Sequence, residues 1–247
     1  MDNSLQNGID TLLFLAARKS AGVTEIAEAL HVNTSAASNI LDTFLQSNMV
    51  EKNQETQKYR LGPAILRLSE RYYNSFKIIE SARTVMEKLT FEIRESVHLC
   101  LLSNYSAIII EQTLSTSRLV ISAMVGNSEP LHCSSVGKCL LAFASDVTRE
   151  RMIANMGFEV FTEKTITTKE KLLAEIAKVR ELGYAVDDQE LSMDIRCVAV
   201  PVFDGHGKCL YSLGTSGAAS VMTAEKIEKI VPLMQQAAKD IMKKKKP

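Results

Sequence analysis

The sequence predicts an α+β protein with an N-terminal winged helix-turn-helix, a linker helix, and a C-terminal domain built around an antiparallel sheet. Three observations support this fold class. The first sixty residues contain three helical apolar patterns followed by two short strand-like runs. A fourth helical pattern occupies residues 62–77. From residue 78 onward, helical patterns lie at both ends of a series of strand-like runs. We therefore expect domain boundaries at 1–61, 62–77 and 78–247.

The composition excludes several classes of protein. The 247 residues are 46% hydrophobic, but no apolar run approaches the roughly 20 residues that a membrane span needs, and the N-terminus lacks the pattern of a secretory signal. Five cysteines, an odd number without a CxxC pair, favour a reduced, cytoplasmic protein over a disulfide framework or a zinc ribbon. The formal net charge is zero, so the overall composition gives no sign of a nucleic-acid partner.

The helix-turn-helix prediction rests on the segment from residue 24 to residue 46. A first helix at 4–19 precedes a short helix at 24–30, a turn at 31–33, and a third helix that begins at Thr34. The small residue Ala27 lies where the two short helices cross. A plain three-helix packing unit would give a similar pattern. The two strand-like runs that follow, 49–52 and 58–61, would form a wing and favour the DNA-binding interpretation.

The third helix would enter the major groove and present small polar side chains to the bases. Asparagine can pair with adenine through two hydrogen bonds, and serine or threonine can serve several bases. The predicted DNA-binding residues are Thr34, Ser35, Ser38, Asn39, Thr43 and, on the wing, Lys58. This helix contains no Arg or Lys, and residues 1–60 contain five basic and seven acidic side chains, a balance of −2. One copy should therefore bind DNA weakly, so we expect an oligomer with several DNA-binding units.

An apolar stripe on the linker helix gives a second reason to expect an oligomer. Two such helices could bury their stripes against each other. The stripe consists of Ile65, Leu66, Leu68, Tyr72 and Phe76.

The C-terminal domain is predicted from alternating strand-like and helical runs. Strands are expected at 97–102, 107–112, 119–124, 184–187, 197–203 and 209–215. Helices are expected from Ser135 and at 148–156, 168–182 and 223–243, with Gly183 ending the third of them.

The segment PLHCSSVGKCLLA, residues 130–142, is the strongest candidate for a ligand site. Ser134 and Ser135 are suited to capping the start of a helix. The first N–H groups of a helix are unpaired and carry partial positive charge, so they can hold a carboxylate or phosphate. A capped helix packed on the sheet without any ligand is the alternative.

Four segments together resemble the IclR-type bacterial transcriptional regulators over nearly the whole chain. They are TEIAEALHVNTSAASNILDTF, YRLGPAILRLS, PLHCSSVGKCLLA, and RELGYAVDDQELSMDIRCVAVPVFD with SLGTSG. The resemblance implies that the C-terminal domain is a GAF-like effector domain with an antiparallel sheet. It also implies dimers that pair into tetramers on DNA, and small organic acids as effectors.

The same resemblance implies a set of effector-binding residues. It places a carboxylate on the backbone of Ser135 and Val136, beside Asp187, Cys197 and Ser216. Since a carboxylate at Asp187 would repel a second carboxylate, we expect it to accept a hydrogen bond from a hydroxyl group of the ligand. This favours a hydroxy acid or a sugar acid.

Several residues depart from the family pattern. Gly214 stands where the family often has a second serine, and is expected to enlarge the pocket. Arg118 stands where the family usually has an apolar residue of the pocket wall, and would add a charged contact. His31 replaces the usual glycine of the turn and would need a positive φ, and Asn39 replaces the usual arginine of the recognition helix.

The predicted function is a DNA-binding repressor of a catabolic operon, controlled by a small carboxylate, with double-stranded operator DNA and further copies of itself as partners. We expect a dimer or tetramer, no membrane association, no cofactor and no enzymatic activity. The alternative is a GAF-like small-molecule-binding or enzymatic protein whose N-terminal module has lost DNA binding, which the −2 balance favours.

The same residues could in principle serve three other chemistries. His132, Ser134 and Asp187 could form a nucleophilic triad, but no Gly-x-Ser-x-Gly elbow is present. Asp187 and Asp188 are adjacent on a strand and point to opposite faces, which disfavours a metal site. An oxidant-sensing role for the cysteines, including Cys133 and Cys197, is less expected than buried apolar thiols.

Overall fold

The structure is a computed structural model that describes residues 4–75, 78–103, 105–117 and 120–243. The chain divides into two compact units, residues 1–76 and 77–247.

The first unit is a winged helix-turn-helix. Its helices are α1 (Ser4–Ala16), α2 (Val23–Ala29), α3 (Thr34–Gln46) and α4 (Ala64–Tyr73), and its wing is formed by β1 (Val50–Lys52) and β2 (Tyr59–Leu61). The two wing strands are antiparallel, and Ala21 adds a third short bridge through hydrogen bonds with Tyr59. One apolar core joins α1, α2, α3 and the wing, because each of these three helices contributes buried apolar residues to it. That core includes Leu15, Ile26, Ala37, Leu41 and Val50.

The turn between α2 and α3 has the predicted strain. His31 has a φ of 54°, the left-handed region that costs a non-glycine residue about 1 kcal/mol. Asn33 then caps α3 by accepting a hydrogen bond from the N–H of Ala36 at 2.8 Å. The strained turn and the cap together fix where α3 begins, and its bounds are those expected from the sequence.

The second unit is a six-stranded antiparallel sheet with helices on both faces. Its strands are β3 (Ser96–Ser103), β4 (Ser106–Thr113), β5 (Ser128–Pro130), β6 (Ala185–Asp188), β7 (Ile195–Phe203) and β8 (Cys209–Ala218), in the spatial order β5-β4-β3-β8-β7-β6. Its helices are α5 (Ile78–Ile93), α6 (Ser135–Phe143), α7 (Asp146–Asn155), α8 (Lys169–Leu182) and α9 (Ala224–Lys243).

The helices lie in layers on the two faces of the sheet. α5 and α9 pack against each other and against one face, whereas α6 lies on the other face with α8 behind it. α6 contacts all six strands, so the sheet wraps around it and both edge strands, β5 and β6, approach the same helix. Residues that are far apart in strand order therefore meet around α6.

The strand expected at 119–124 is wrong. Residues 120–124 have no strand structure, and Leu119 lies outside the described residues. The edge next to β4 is instead taken by Ser128–Pro130, after Gly126 and Asn127 bond to the backbone of Ile109 at 2.8 and 3.0 Å. A nearly continuous apolar run resembled a buried strand, but the following segment occupies the hydrogen-bonding edge of β4.

Candidate DNA-binding and effector sites

The outer face of α3 carries most of the predicted DNA-binding residues. Ser35, Asn39 and Thr43 are exposed and follow one another at intervals of four, so they line one side of the helix. Thr34 is exposed at the start of α3. Ser38 is half-buried next to this line of exposed residues. The Thr43 hydroxyl donates to the backbone carbonyl oxygen of Asn39 at 2.9 Å, a bond that does not involve the Asn39 side chain.

The basic residues of the wing are held by acidic or aromatic neighbours. Lys58 lies 3.6 Å from a carboxylate oxygen of Glu25. Arg60 donates to Glu51 at 2.8 Å. Lys52 lies over the ring of Tyr59 at 5.3 Å. These exposed pairs are weak, and DNA phosphates could compete for the cations, but each contact reduces the positive charge that the wing offers.

The start of α6 is capped as the sequence predicts, by Ser134. Its hydroxyl accepts from the N–H of Gly137 at 3.1 Å and donates to the carbonyl oxygen of Pro130 at 2.6 Å. Gly137 is required here because a Cβ at this position would lie 2.6 Å from Cα of Leu131. The helix start is therefore pressed closely against the segment that leads into it.

Two backbone donors at this helix start have no acceptor. Across the ranges that the structure describes, no hydrogen bond uses the N–H group of Ser135 or Val136, and the two residues are 1% and 2% exposed. Buried N–H groups are nearly always paired, so these two donors form a ready site for an anion.

The predicted pocket residues lie in one row across neighbouring strands. Asp187 on β6 is opposite Cys197 on β7, Cys197 is opposite Ser216 on β8, and Ser216 is opposite Ser96 on β3. Directly opposed residues of antiparallel strands share a face, so all four side chains lie on one face of the sheet. The Cys197 thiol donates to the Ser216 hydroxyl at 3.1 Å.

Asp187 supplies the carboxylate of this row and is buried, with 1% of its surface exposed. Burial raises its pKa to about 6, although the N–H groups of Glu190 and Leu191 stabilise its charge at 2.7 and 3.4 Å. Asp188 points the other way, as expected, and accepts from Arg196 at 2.6 Å. Within the described ranges, no cluster of His, Cys, Asp or Glu has the arrangement of a metal site.

The expected enlargement of the pocket at Gly214 is wrong. A Cβ at Gly214 would lie 2.6 Å from Cγ1 of Val136 and even closer to Nε2 of His98. The imidazole of His98, on the adjacent strand β3, therefore fills the volume that the missing side chain leaves. The glycine makes room for a histidine and not for a longer ligand. Arg118, the other expected departure, lies outside the described residues.

Sequence reasoning missed a buried ion pair behind the helix start. Lys138 is fully buried and pairs with Glu190, and its Nζ also lies 3.3 Å from a carboxylate oxygen of Glu175. Burial raises the pKa of Glu190 to about 7, against the opposing effect of Lys138. The pair connects α6 to α8 and to the loop after β6. A lysine within an otherwise apolar helical segment was the available signal.

The histidine and the cysteines that could have served catalysis or redox sensing are buried or half-buried. Nε2 of His132 lies 2.9 Å from the carbonyl oxygen of Glu159, and its ring packs between Phe158 and Phe161. Burial raises the pKa of the Cys133 thiol to about 12 and also raises that of Cys197. Thiols in this state form little thiolate, the form that reacts with oxidants.

A winged helix-turn-helix followed by a domain built on an antiparallel sheet defines a class of DNA-binding regulators. Residues 4–54 match the IclR helix-turn-helix domain, and residues 70–243 match the family described as bacterial transcriptional regulator IclR C-terminal. The chain therefore belongs to the IclR family of DNA-binding transcriptional regulators, as the sequence segments indicated.

Characterised relatives are transcriptional regulators rather than enzymes. The HTH-type transcriptional regulator KdgR of Escherichia coli is 29% identical, and the match covers 92% of this chain and 86% of that protein. The transcriptional repressor IclR of E. coli is 27% identical, with 96% and 88% covered. The crystal structure of IclR from Thermotoga maritima has a TM-score of 0.79 at 26% identity and covers 99% of both chains. In the described part of the chain, no helix is both long and apolar enough to cross a membrane.

Proposed function

We propose that this protein is a repressor of a catabolic operon that binds double-stranded operator DNA through α3 and is controlled by a small carboxylate. The observation that supports the effector most directly is the pair of unpaired, buried N–H groups of Ser135 and Val136 at the start of α6. Such a helix start favours a carboxylate through both its donors and its partial positive charge.

The row of side chains beside the helix start indicates which carboxylates fit. Asp187 carries a negative charge near neutral pH and would repel a second carboxylate, so it accepts a hydrogen bond from a ligand hydroxyl. Ser216 adds a second hydroxyl contact, and Cys197 forms an apolar wall. This arrangement favours a hydroxy acid or a sugar acid over a dicarboxylate.

The DNA-binding side of the proposal requires an oligomer. Because α3 offers no cation and the wing cations are partly engaged, the electrostatic affinity of one unit for DNA is low. Pairing two or four copies multiplies the contacts, and α4 exposes Leu66, Leu68 and Tyr72 as a surface that could join copies. We assign residues 1–61 to DNA binding, 62–77 to the linker, and 78–247 to effector binding, in a protein that acts on DNA in the cytoplasm.

A mobility-shift assay with the DNA upstream of the protein's own gene tests this function. Wild type should bind one or a few sites, and Asn39→Ala should lose about 1–3 kcal/mol at the base pair that Asn39 reads. Asn155→Ala, an exposed asparagine of α7, is the matched control and should bind as wild type does. Equal affinity and equal sequence preference in Asn39→Ala would show that the proposed base contact is absent.

A second candidate function is supported by the charge of the first unit. Since Glu25 and Glu51 engage the wing cations and the unit is net acidic, the N-terminal module could have lost DNA binding. The protein would then bind its acid without regulating transcription. Binding of an acid together with no sequence-specific DNA binding at low salt would favour this candidate.

A further inference from the structure

The carboxyl group of Glu129 faces α6 rather than solvent. On the edge strand β5, Glu129 is directly opposite Ala107 of β4. Ala107 is fully buried in the core cluster beneath α6, which includes Val136 and Leu140. Opposed residues of antiparallel strands share a face, so the Glu129 side chain points to the same side as Ala107. The register alone therefore places a second carboxyl group on the face of the sheet that packs against α6.

Glu129 and Asp187 come from the two opposite edges of the sheet. Six strands laid flat would hold such edge residues far apart, but the wrapping of the sheet around α6 brings both edge strands into contact with that helix. Their proximity also has an electrostatic effect. Burial raises the pKa of Glu129 to about 7, and the negative charge of Asp187 contributes to the increase. The start of α6 is thus flanked by acceptors from both edges.

The Glu129 carboxylate has no protein partner to neutralise it. Among the hydrogen bonds and ion pairs of the described residues, none involves its side chain, although the residue is half-buried. The buried cation of this region, Lys138, is already engaged by Glu190 and Glu175. A half-buried acceptor without a donor is costly unless a ligand or water supplies one.

Two further buried polar side chains beside the helix start are also unpaired. His98 is 4% exposed, and its ring contacts Gly214 beside Val136. Ser135 is 1% exposed at the first position of α6. In the part of the chain that the structure describes, no hydrogen bond involves the His98 ring or the Ser135 hydroxyl. Burial lowers the pKa of His98 to about 4, so its ring is neutral and supplies no charge. These groups are independent of the acidic pair and indicate a site built for a polar ligand.

We propose that Glu129 is a specificity-determining residue of the effector site, which accepts a hydrogen bond from a second hydroxyl of the ligand. This inference rests on the proposed effector site. The ligand carboxylate binds the N–H groups of Ser135 and Val136, Asp187 takes one hydroxyl, and Glu129 takes another. The effector is then an acid with at least two hydroxyl groups, of the sugar-acid type, and not a monohydroxy acid. A dicarboxylate would meet two repelling groups instead of one.

Calorimetric titration of the full-length protein with two acids of equal length tests this proposal. Lactate and glycerate both have three carbons and differ by one hydroxyl, and gluconate extends the series to a full sugar acid. At pH 8, where Glu129 with its pKa of about 7 is mostly ionised, wild type should bind glycerate and gluconate at least about tenfold more tightly than lactate, because a hydrogen bond to a charged acceptor is worth about that factor. Glu129→Gln should reduce this preference to less than about threefold and change lactate affinity little.

Two controls separate the role of Glu129 from general effects. Glu163→Gln removes the same charge from an exposed loop position and should keep the wild-type preference. Glu129→Ala removes the acceptor entirely and should behave like Glu129→Gln if the hydroxyl contact exists. Circular dichroism at the titration temperature confirms that each variant is folded.

Three results would overturn the proposal. If Glu129→Gln keeps the preference for glycerate, while Asp187→Asn abolishes binding of both acids, the effector site stands and Glu129 has no part in selectivity. The free amino acid serine carries an ammonium group where glycerate has a hydroxyl. If it binds more tightly than glycerate and loses its affinity in Glu129→Gln, the partner of Glu129 is an ammonium group and not a hydroxyl. If no acid in the series binds wild type, both this proposal and the proposed effector class fail.

Discussion

Gly214 and His98 face each other on adjacent strands, and the His98 ring fills the volume in which a side chain at residue 214 would lie. In this chain, histidine and glycine fit only as a pair, because a Cβ would press on His98 and on Cγ1 of Val136 at 2.6 Å.

Gly214→Ser should therefore destabilise the protein by about 1–3 kcal/mol, the usual cost of an overpacked core. The double variant Gly214→Ser/His98→Ala should recover part of that loss, since removing the ring provides space. Urea denaturation followed by circular dichroism measures both effects. Gly205→Ser is the control, because no atom lies within 4 Å of its Cβ position. An unchanged midpoint in the single variant would show that the two positions are not coupled.

Lys138→Met should be more damaging than a surface substitution of the same kind. It removes the cation between Glu190 and Glu175, and breaking a buried pair from one side costs about 3–5 kcal/mol. The penalty applies to the ionised carboxylates, so it should be larger at pH 8 than at pH 5.5. Denaturant unfolding at the two pH values measures it, with Lys178→Met on the exposed side of α8 as the control. A loss below 1 kcal/mol at both pH values would contradict the structural role of this pair.

Glu129 should make the protein less stable at high pH. Its folded-state pKa of about 7 lies above the ordinary value of 4.5, so the folded state binds this proton more tightly than the unfolded state. The resulting stability is present below about pH 4.5 and is lost as the pH rises through 7. Glu129→Gln should thus gain about 1–3 kcal/mol relative to wild type at pH 8, and little at pH 5.

Thermal melting across this pH range, with Glu163→Gln beside it, provides the measurement. The carboxyl group of Asp187 shifts in the same direction, to a pKa of about 6, so wild type should retain some pH dependence even without Glu129. If the melting temperatures of Glu129→Gln and wild type change with pH in parallel, Glu129 is not a buried ionisable group.

The exposed residues of α4 should join copies of the chain. Leu66, Leu68 and Tyr72 are all more than half exposed, although they lie on a short helix with many polar neighbours. Light scattering at micromolar concentration should show a dimer or tetramer, and Leu68→Glu should shift the population toward smaller species. Ser69→Glu adds the same charge at the neighbouring exposed position and should change the mass less. A monomeric wild type would contradict the oligomer and the argument that many weak DNA contacts act together.

The sequence predicted correctly those helix ends that are set by residues close to them in the chain. The bounds of α3 were predicted correctly because a strained turn at His31 and a cap at Asn33 determine its start. The end of α8 was predicted because Gly183 adopts a φ of 76°, which glycine tolerates best. Ser134 was recognised as a cap for the same kind of reason.

The parts of the site that sequence reasoning missed depend on contacts between distant segments. Glu129 reaches the helix start only because the sheet wraps around α6, and no local pattern reports that curvature. His98 is opposite Gly214 through the pairing of β3 with β8, which are more than a hundred residues apart in the chain. The false strand at 119–124 failed for a related reason, since periodicity cannot show which segment occupies the edge of β4.

An acid bound at the start of α6 is expected to control the protein, with Asp187 recognising a ligand hydroxyl. A thermal-shift panel of sugar acids, short keto acids and aromatic acids tests it on wild type and Asp187→Asn. The substitution retains an oxygen that can accept from the N–H of Glu190 at 2.7 Å, so the loop should keep its shape. We predict that a hydroxylated acid stabilises wild type and loses most of its effect in Asp187→Asn. Stabilisation by aromatic acids alone, or a normal response in Asp187→Asn, would contradict the account.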